Sequence, residues 1–525
     1  MQASFASLGQ LVKFAYDATG VLPKKRDEKT ALTDKDVKRI QKQLERLADE
    51  KGSLLDRCGE LIRTLAYELA GTIQSEKIGS AVGDCCIDLL DVYNHIVRDE
   101  GTYLSPRDSL RWFASAYAVP RLALSIQKHL VRFNIAAEGL VHPAERDWYL
   151  PEISDDSITW PLEKAMQWIY TYCNTSPTHF HCAGKTYLES DAEMRQNLEN
   201  ASNWRRNQNL PSWAGLHWNF SRSIDRLVVA KGPAARAISA KEKESMLYVL
   251  FLARLSTYVA KQVYEAYGKD VLTDLLSRFK RQQDWLVNDL KVLRSTTKNY
   301  IEQEKIAQHE HDAVWFKFSE RYWRWFADRS SHCGQTLQAL ITTAEDHSVP
   351  ETQVRQLCEK YSEYTVRSAL DLLTCASELK NPPFFAEALF KGMELSKSSG
   401  TTLQEIDAYE IEIRENGVLH CIEWMVHWNR ALFHYRNEQD SEAFEHISIT
   451  FEMAKYTAGS SQYKIVNQFI EIAAKNDSWQ CFKHGVAWAT YLGISVRWLR
   501  EDEPTEANLR EVFDLMKLTH FRYAV

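Results

Sequence analysis

Apolar residues recur three and four positions apart along most of this chain. The first clear run is Val37, Ile40, Leu44 and Leu47, interleaved with Lys35, Lys38, Arg39, Lys42, Glu45 and Arg46. That spacing lines one side of an α-helix with apolar groups and leaves the other side wet. Thr33, with Asp36 three residues later, marks its start as a variant of the capping box. A second helix follows through Leu61, Ile62 and Leu65, a third spans about 81–98 and a fourth about 107–133. Pro120 falls inside the fourth and predicts a kink or a split, because proline has no N–H to donate and crowds the preceding turn.

The pattern then weakens. Residues 134–160 hold Pro143, Pro151, Asp155 and Asp156 with little periodicity, which reads as a linker. Residues 161–230 are irregular, and Lys231-Gly232-Pro233 breaks the chain again. From about 240 to 345 helical periodicity returns with hardly any glycine or proline, and 278–330 reads as one very long helix or two in line. Within it, 314–326 carries seven aromatics in thirteen residues. Such a stripe serves as packing between helices or as a stacking platform, and packing is the commoner use. The resulting division is an N-terminal helical bundle over 1–135, an irregular helical middle over 136–232, a long-helix region over 233–345 and a repeat region over 346–525.

The repeat lies in 420–494. An offset of 35 residues pairs Trp428 with Tyr463, Ala431 with Val466, Phe444 with Trp479, Ile447 with Phe482 and Ala454 with Ala489. Each copy reads as a helix, a short polar turn (Asn437–Asp440; Lys475–Ser478) and a second helix. This resembles tetratricopeptide-type repeats, whose length is about 34 residues. The resemblance covers about 75 residues, and neither first helix carries the family's Trp…Leu-Gly…Tyr run. Residues 351–397 read as a further helix pair, broken at Asn381-Pro382-Pro383. The resemblance implies a TPR-like α-solenoid over roughly 345–525, with a concave face that takes a peptide or partner protein. A non-repetitive bundle with a chance echo is the alternative.

Composition sharpens the class. Glycine (20) and proline (13) are scarce in 525 residues, where average usage would give roughly 37 and 26. Turn-rich sheet folds are therefore disfavoured and an all-α fold is expected. The ten cysteines form no CxxC pair, which fits reduced thiols rather than a disulfide framework. The first residues lack a charged stretch followed by an apolar one, and no apolar run is long enough for a bilayer. A cytoplasmic protein without a membrane segment is the expectation. The net charge of −7 resides in residues 401–525, where 19 acids meet 12 bases. Residues 278–298 run the other way, with six bases against Asp284 and Asp289. That stretch is either a phosphate-attracting face or a solvated helix side.

Motifs for catalysis are thin. Ala183-Gly184-Lys185-Thr186 ends like a phosphate loop, but His179 stands where its first glycine belongs and no strand precedes it. Cys173, His179, His181 and Cys182 are metal-ligand types at a spacing of no standard zinc module. His309-Glu310-His311 lacks the His-x-x-x-His face of a metalloprotease. There is no GxSxG elbow and no kinase signature set. No cofactor is expected.

The remaining local motif lies in 195–227. Trp204-Arg205-Arg206-Asn207-Gln208-Asn209-Leu210-Pro211-Ser212 precedes Leu216, Phe220, Ile224 and Leu227 at helical spacing. This resembles the back half of a Cro/C1-type helix-turn-helix, a recognition helix followed by a basic turn and a closing helix. The resemblance implies DNA contacts from Arg195, Asn203, Arg205 and Arg206, types that read base edges or clasp phosphates. Glu189, Asp191, Glu193 and Glu199 on the same stretch would repel phosphate. Lys280 and Arg281 join these as candidates from the basic stretch.

Three functions remain open on these grounds. The first is a cytosolic helical-repeat adaptor or regulator, its acidic C-terminal face preferring a basic segment of a partner protein. The second is a nucleic-acid-associated regulator using 195–227 and 278–298. The third is an enzyme or toxin with a helical active site that no motif marks.

Overall fold

The computed structural model describes residues 6–23, 32–50, 54–73, 75–100, 106–132, 140–182, 190–231, 238–344, 348–378, 384–499 and 504–518. The connections near 133–139, 232–237 and 345–347, the Gly184-Lys185-Thr186 stretch and Asn381-Pro382-Pro383 lie outside the described residues. The fold is all-α, with one two-residue β-hairpin, Glu152–Ile153 against Ile158–Thr159, among the described residues.

The first helices are α1 (Leu8–Thr19), α2 (Asp34–Ala48), α3 (Leu54–Ile73) and α4 (Glu76–His95). The Thr33 hydroxyl accepts from Asp36 N at 3.2 Å while the Asp36 carboxylate accepts from Thr33 N at 3.2 Å, so the capping box forms as read. After α5 (Pro106–Phe113) the expected break at Pro120 takes the form of a π-turn over Ala114–Ala118, in which Val119 N–H reaches back to Ala114. Proline cannot donate the next helical bond, so a wider turn absorbs the defect before α6 (Val119–Arg132).

The middle of the chain holds α7 (Pro161–Tyr172), α8 (Pro177–Cys182), α9 (Asp191–Arg205) and α10 (Trp213–Lys231). Two long stretches follow. They are α11 (Ala240–Tyr267) and a hairpin of α12 (Lys269–Gln303) and α13 (His311–Thr343). The hairpin corrects the expectation of helices in line. Lys305 adopts φ +49°, Lys305 N–H bonds Glu302 O at 3.3 Å and Ile306 N–H bonds Ile301 O at 3.1 Å. This is a left-handed helix stop built on lysine rather than glycine, which is why the residue pattern hid it. The chain then turns back, and Tyr300 meets Phe318 with ring centroids 5.0 Å apart. Most of the aromatic stripe is packing: Trp323 and Phe326 are buried with Leu286, Leu290 and Leu293, and Trp315, Phe318 and Tyr322 lie against them.

The last part comprises α14 (Glu351–Lys360), α15 (Glu363–Glu378), α16 (Phe385–Lys397), α17 (Leu403–Glu415), α18 (Leu419–Arg436), α19 (Asp440–Ala454), α20 (Gln462–Lys475), α21 (Trp479–Leu492) and α22 (Glu506–Leu518). From α17 to α21 each helix packs on the next. The two repeat copies share their turn. Glu438 (φ +64°) and Asp477 (φ +56°) stop α18 and α20 in the same left-handed way, with Gln439 N–H to His434 O at 3.0 Å and Ser478 N–H to Ala473 O at 2.8 Å. Matching these turns places the copies 39 residues apart, not 35. The difference is four residues, about one helical turn, so the burial pattern on a helix face survives the shift.

One hydrophobic cluster runs from Leu8 to Met516 and joins the first helices to the last. Buried polar groups stitch that junction. The π-turn over Ile96–Glu100 leaves the Val97 carbonyl to accept from the Gln462 amide at 2.7 Å, and Gln462 accepts from Trp488 Nε1 at 3.0 Å. Lys455, 2% exposed, sits between Glu50, Glu452 (2.9 Å) and His484 (3.2 Å). Burial alone would raise the Glu50 carboxyl, but hydrogen bonds from His484, Lys455 and Tyr456 and the Lys455 charge hold it at about 2. Elsewhere Arg254, 1% exposed, donates to the carbonyls of Asp17 (3.1 Å), Ala18 and Pro211 (2.8 Å). Gly20 (φ +66°) is required beside it, since a Cβ there would fall 2.2 Å from the guanidinium carbon.

Among the described residues no helix is long and apolar enough to cross a membrane. None of the nine cysteines whose side chains are described is in a disulfide among the described residues.

Candidate interaction surfaces

The 195–227 segment folds locally as its pattern suggests. The Ser212 hydroxyl accepts from Gly215 N at 3.0 Å and caps α10. Leu216, Phe220, Ile224 and Leu227 are wholly buried on one side of that helix. The would-be recognition helix α9 buries Met194, Asn197, Ala201 and Trp204. Its exposed positions include Asp191, Arg195, Gln196 and Glu199, so acid and base alternate there. Asn203 and Arg205 are half-buried and Arg206 is exposed at the C-cap. Arg205 lies within electrostatic range of Glu163 and Tyr170.

Beside this turn is a cleft of about 450 Å³ lined by Asp155, Trp160, Asn207, Lys261, Tyr264 and Lys269, among others. Lys269 donates to the carbonyls of Ser154 and Asp155 at 2.8 and 2.9 Å. Burial lowers the Lys261 ammonium, which donates to the Asn207 carbonyl at 3.4 Å. The Ser154 hydroxyl that lines this cleft bonds Ser157 rather than a carboxylate.

The metal-ligand types around 173–182 diverge. His181 is fully buried between the Tyr170 and Ser223 hydroxyls, each at 3.0 Å, and His179 is exposed. Burial, with the Arg226 charge next, lowers His181 to about 3, so it is a neutral core imidazole. Cys173 points at Met246 Sδ, 4.0 Å away, and Cys182 at the Met194 carbonyl. No group of three His, Cys, Asp or Glu side chains is placed to hold a metal among the described residues.

The start of the basic stretch is paired. Lys280 meets Asp147 at 3.4 Å and Arg281 meets Asp371 at 3.7 Å. Arg278 reaches Asp274 at 3.0 Å and Asp371 at 3.5 Å. Among the described residues no hydrogen bond or ion pair joins Lys280 or Arg281 to the α9–α10 turn, and carboxylates answer both.

A histidine cluster that no motif marks lies on the repeat. His427 Nδ1 and His446 Nδ1 are 3.1 Å apart across α18 and α19, and the His434 ring stacks on His446 at 5.6 Å. Burial lowers His427 and His446, so both favour the neutral form and one donates to the other. The residues come from two helices with irregular spacing, which is why the sequence did not flag them.

The α16–α17 pair carries the acidic bias to the surface. Tyr409 is fully buried and donates to the Ala388 carbonyl at 3.0 Å. Gly392 lets the helices close, since a Cβ there would lie 2.6 Å from the Tyr409 hydroxyl. Lys391 pairs with Glu412 across the groove, Lys397 with Glu394 at 2.9 Å and Arg414 with Glu410 at 2.6 Å. Arg430 of α18 adds bonds to Asp407 and Glu410, both at 2.7 Å. Residues 384–415 hold seven acids and three bases, so the ion pairs use up the cations and leave carboxylates over. Exposed Glu387 and Glu415 have no cation within 4 Å among the described residues. Phe390 (68% exposed) and Ile411 (57%) stand beside Lys391 and Glu412, one on each helix.

No protein-family model, no curated protein and no solved structure matches the chain. The tetratricopeptide and Cro/C1-type resemblances thus rest on the residues quoted for them.

Proposed function

We propose that this chain is a helical-repeat interaction scaffold, an adaptor or regulator, whose α16–α17 face takes a basic amphipathic helix from a partner protein. The carrying observation is the pair Phe390 and Ile411, both more than half exposed, on a face with surplus carboxylates. Contiguous exposed apolar patches rimmed by polar residues mark contact sites. An amphipathic helix would lay its apolar side on these two residues while its lysines and arginines meet Glu387 and Glu415. The consecutive packing of α17 to α21 suits such a role, because each added helix presents one more strip of surface.

The test is binding of a fluorescent amphipathic lysine-leucine peptide, with a non-amphipathic scramble of equal charge as control. The amphipathic peptide is expected to bind more tightly than the scramble, and F390D with I411D to remove that preference. Equal binding of the two peptides, or a preference that survives F390D/I411D, defeats the reading. Point variants are preferable to deleting 346–525, because that deletion would tear the shared hydrophobic cluster.

A further inference from the structure

One side of the α12–α13 hairpin is basic. Lys291, Arg294 and Lys298 on α12 and Lys317, Arg321 and Arg324 on α13 are all exposed. Residues 290–300 and 314–327 contain one acid, Glu320, against those six bases. Lys291, Arg294 and Lys298 each come one position after a buried seam residue, Leu290, Leu293 and Thr297, and Arg324 comes one position after Trp323. Arg321 and Lys317 lie three and seven residues before Arg324, on its side of α13. In an antiparallel pair the position after the seam falls on the same side of both helices, so the two triads share a side. Among the described residues only Lys298 of the six meets a carboxylate, Glu302 at 3.7 Å, with both side chains well exposed.

The α16–α17 face has the opposite sign and an apolar centre. Glu387 and Glu415 stand three and four residues from Phe390 and Ile411, so each carboxylate shares the side of its helix with an exposed apolar group. The Lys391–Glu412 pair sets Phe390 about level with Ile411 and Glu387 about level with Glu415, which makes the four one patch. These four residues and the six cations are all exposed, so neither face is covered by the other within one copy.

A polyanion would answer the six cations and leave Phe390 and Ile411 wet. A basic peptide would do the reverse. A second copy answers both with one kind of contact. The apolar stems of arginine and lysine lie over Phe390 and Ile411 while their charged ends meet Glu387 and Glu415. Val292, 69% exposed and next to Lys291 in the chain, adds an apolar group at the edge of the basic side.

We propose that this chain associates with itself, the basic side of the α12–α13 hairpin of one copy seating on the α16–α17 face of another. The inference rests on the reading of α16–α17 as a seat for a basic helical partner, and it names that partner. The two surfaces differ, so the contact is heterologous. It closes into a reciprocal pair or a ring where the rotation allows, and otherwise runs on as a chain. Its charges are exposed, so the contact is reversible and weakens with salt.

Sedimentation velocity of the full chain, over about 1–100 μM at 50 and 500 mM salt, tests the proposal. Self-association is expected at 50 mM and should be at least tenfold weaker at 500 mM. R294E/R321E/R324E turns the basic face acidic, E387R/E415R turns the acidic face basic, and each variant alone should be monomeric. A 1:1 mixture of the two should associate again, because each variant retains the face that the other lacks. R294K/R321K/R324K should associate like the wild type. All these positions are exposed, so a matched thermal melt is the folding control. The amphipathic lysine-leucine peptide should dissociate the assembly by taking its seat. A chain that stays monomeric at 50 mM salt overturns the proposal, whether or not an oligonucleotide or an acidic peptide binds the hairpin instead. Association that survives both charge reversals, or a mixture that stays monomeric, overturns it too. A monomeric wild type that still prefers the amphipathic peptide defeats self-association alone, whereas loss of that preference defeats the α16–α17 reading beneath it.

Discussion

The α12–α13 hairpin and the α16–α17 pair are built alike and charged oppositely. Each is two antiparallel helices closed over a seam of buried side chains, with large apolar groups left facing water. The first carries six bases and one acid over residues 290–300 and 314–327, the second seven acids and three bases over 384–415. Pairing separates them further. On α16–α17 each base is matched to a carboxylate, whereas among the described residues only Lys298 of the six hairpin cations meets one. The seam decides that two helices pack, and the outer positions are then free to choose what they attract. Surface charge alone is a poor guide, because what a partner feels is the charge left over after internal pairing.

The strongest way to break the comparison is charge reversal. R294E/R321E/R324E should abolish self-association and leave amphipathic-peptide binding to the dilute protein unchanged, as sedimentation and peptide anisotropy on one protein would show. Loss of both, with the fold intact, would mean the two faces do not act separately. Next in size, F390D/I411D should cut amphipathic-peptide binding tenfold or more.

A third change asks whether both surfaces ride on one cooperative unit. Glu50→Gln leaves Lys455 buried beside one carboxylate fewer, at a cost of about 3 kcal/mol. Chemical denaturation should show a single shifted transition in which both binding activities disappear together. Two separated transitions would say that the first and last helices fold apart despite their shared cluster.

The smallest effect is in pH, and its sign follows from buried carboxyl and imidazole groups, Glu50 and His181 chief among them. Glu50 is held at about 2, so its stabilisation is present above its ordinary carboxylate value and fades as pH falls toward 2. His181 is held at about 3, below its ordinary value near 6.5. The folded state therefore resists its protonation, and stability is complete above pH 6.5 and declines as pH drops below it. Denaturation midpoints at pH 7, 5.5 and 4 should fall in that order, and His181→Gln should flatten the first step. A midpoint unchanged from pH 7 to 5.5 would contradict the buried neutral imidazole.

Much of the helical layout was legible. The Thr33–Asp36 cap, the split at Pro120, the apolar side of α10 through Leu216 to Leu227 and the two turns of the repeat all follow from residues a few positions apart. The hairpin at 304–310 was not legible, because its left-handed stop falls on Lys305 where glycine would have announced it. The offset of the repeat was misjudged by one helical turn for a related reason: a four-residue slip keeps the same side of a helix buried, so apolar spacing alone does not register it. Of the candidate contacts, Lys280 and Arg281 look the same in sequence as Arg294 and Arg321, yet Asp147 and Asp371 answer the first two.

By itself the sequence determined the all-α class, several helix starts and turns, and the sign of charge along each stretch. These depend on spacing within one or two helical turns, where backbone hydrogen bonds and side-chain burial are set locally. The tertiary structure decided which charges remain available and which aromatics stay wet. Glu50 meets Lys455 across 405 positions, and Phe316 and Trp325 are exposed only because α13 folds back on α12 and buries Trp323 and Phe326 instead. Pairing and exposure depend on neighbours that are distant in the chain, and a local pattern does not contain them.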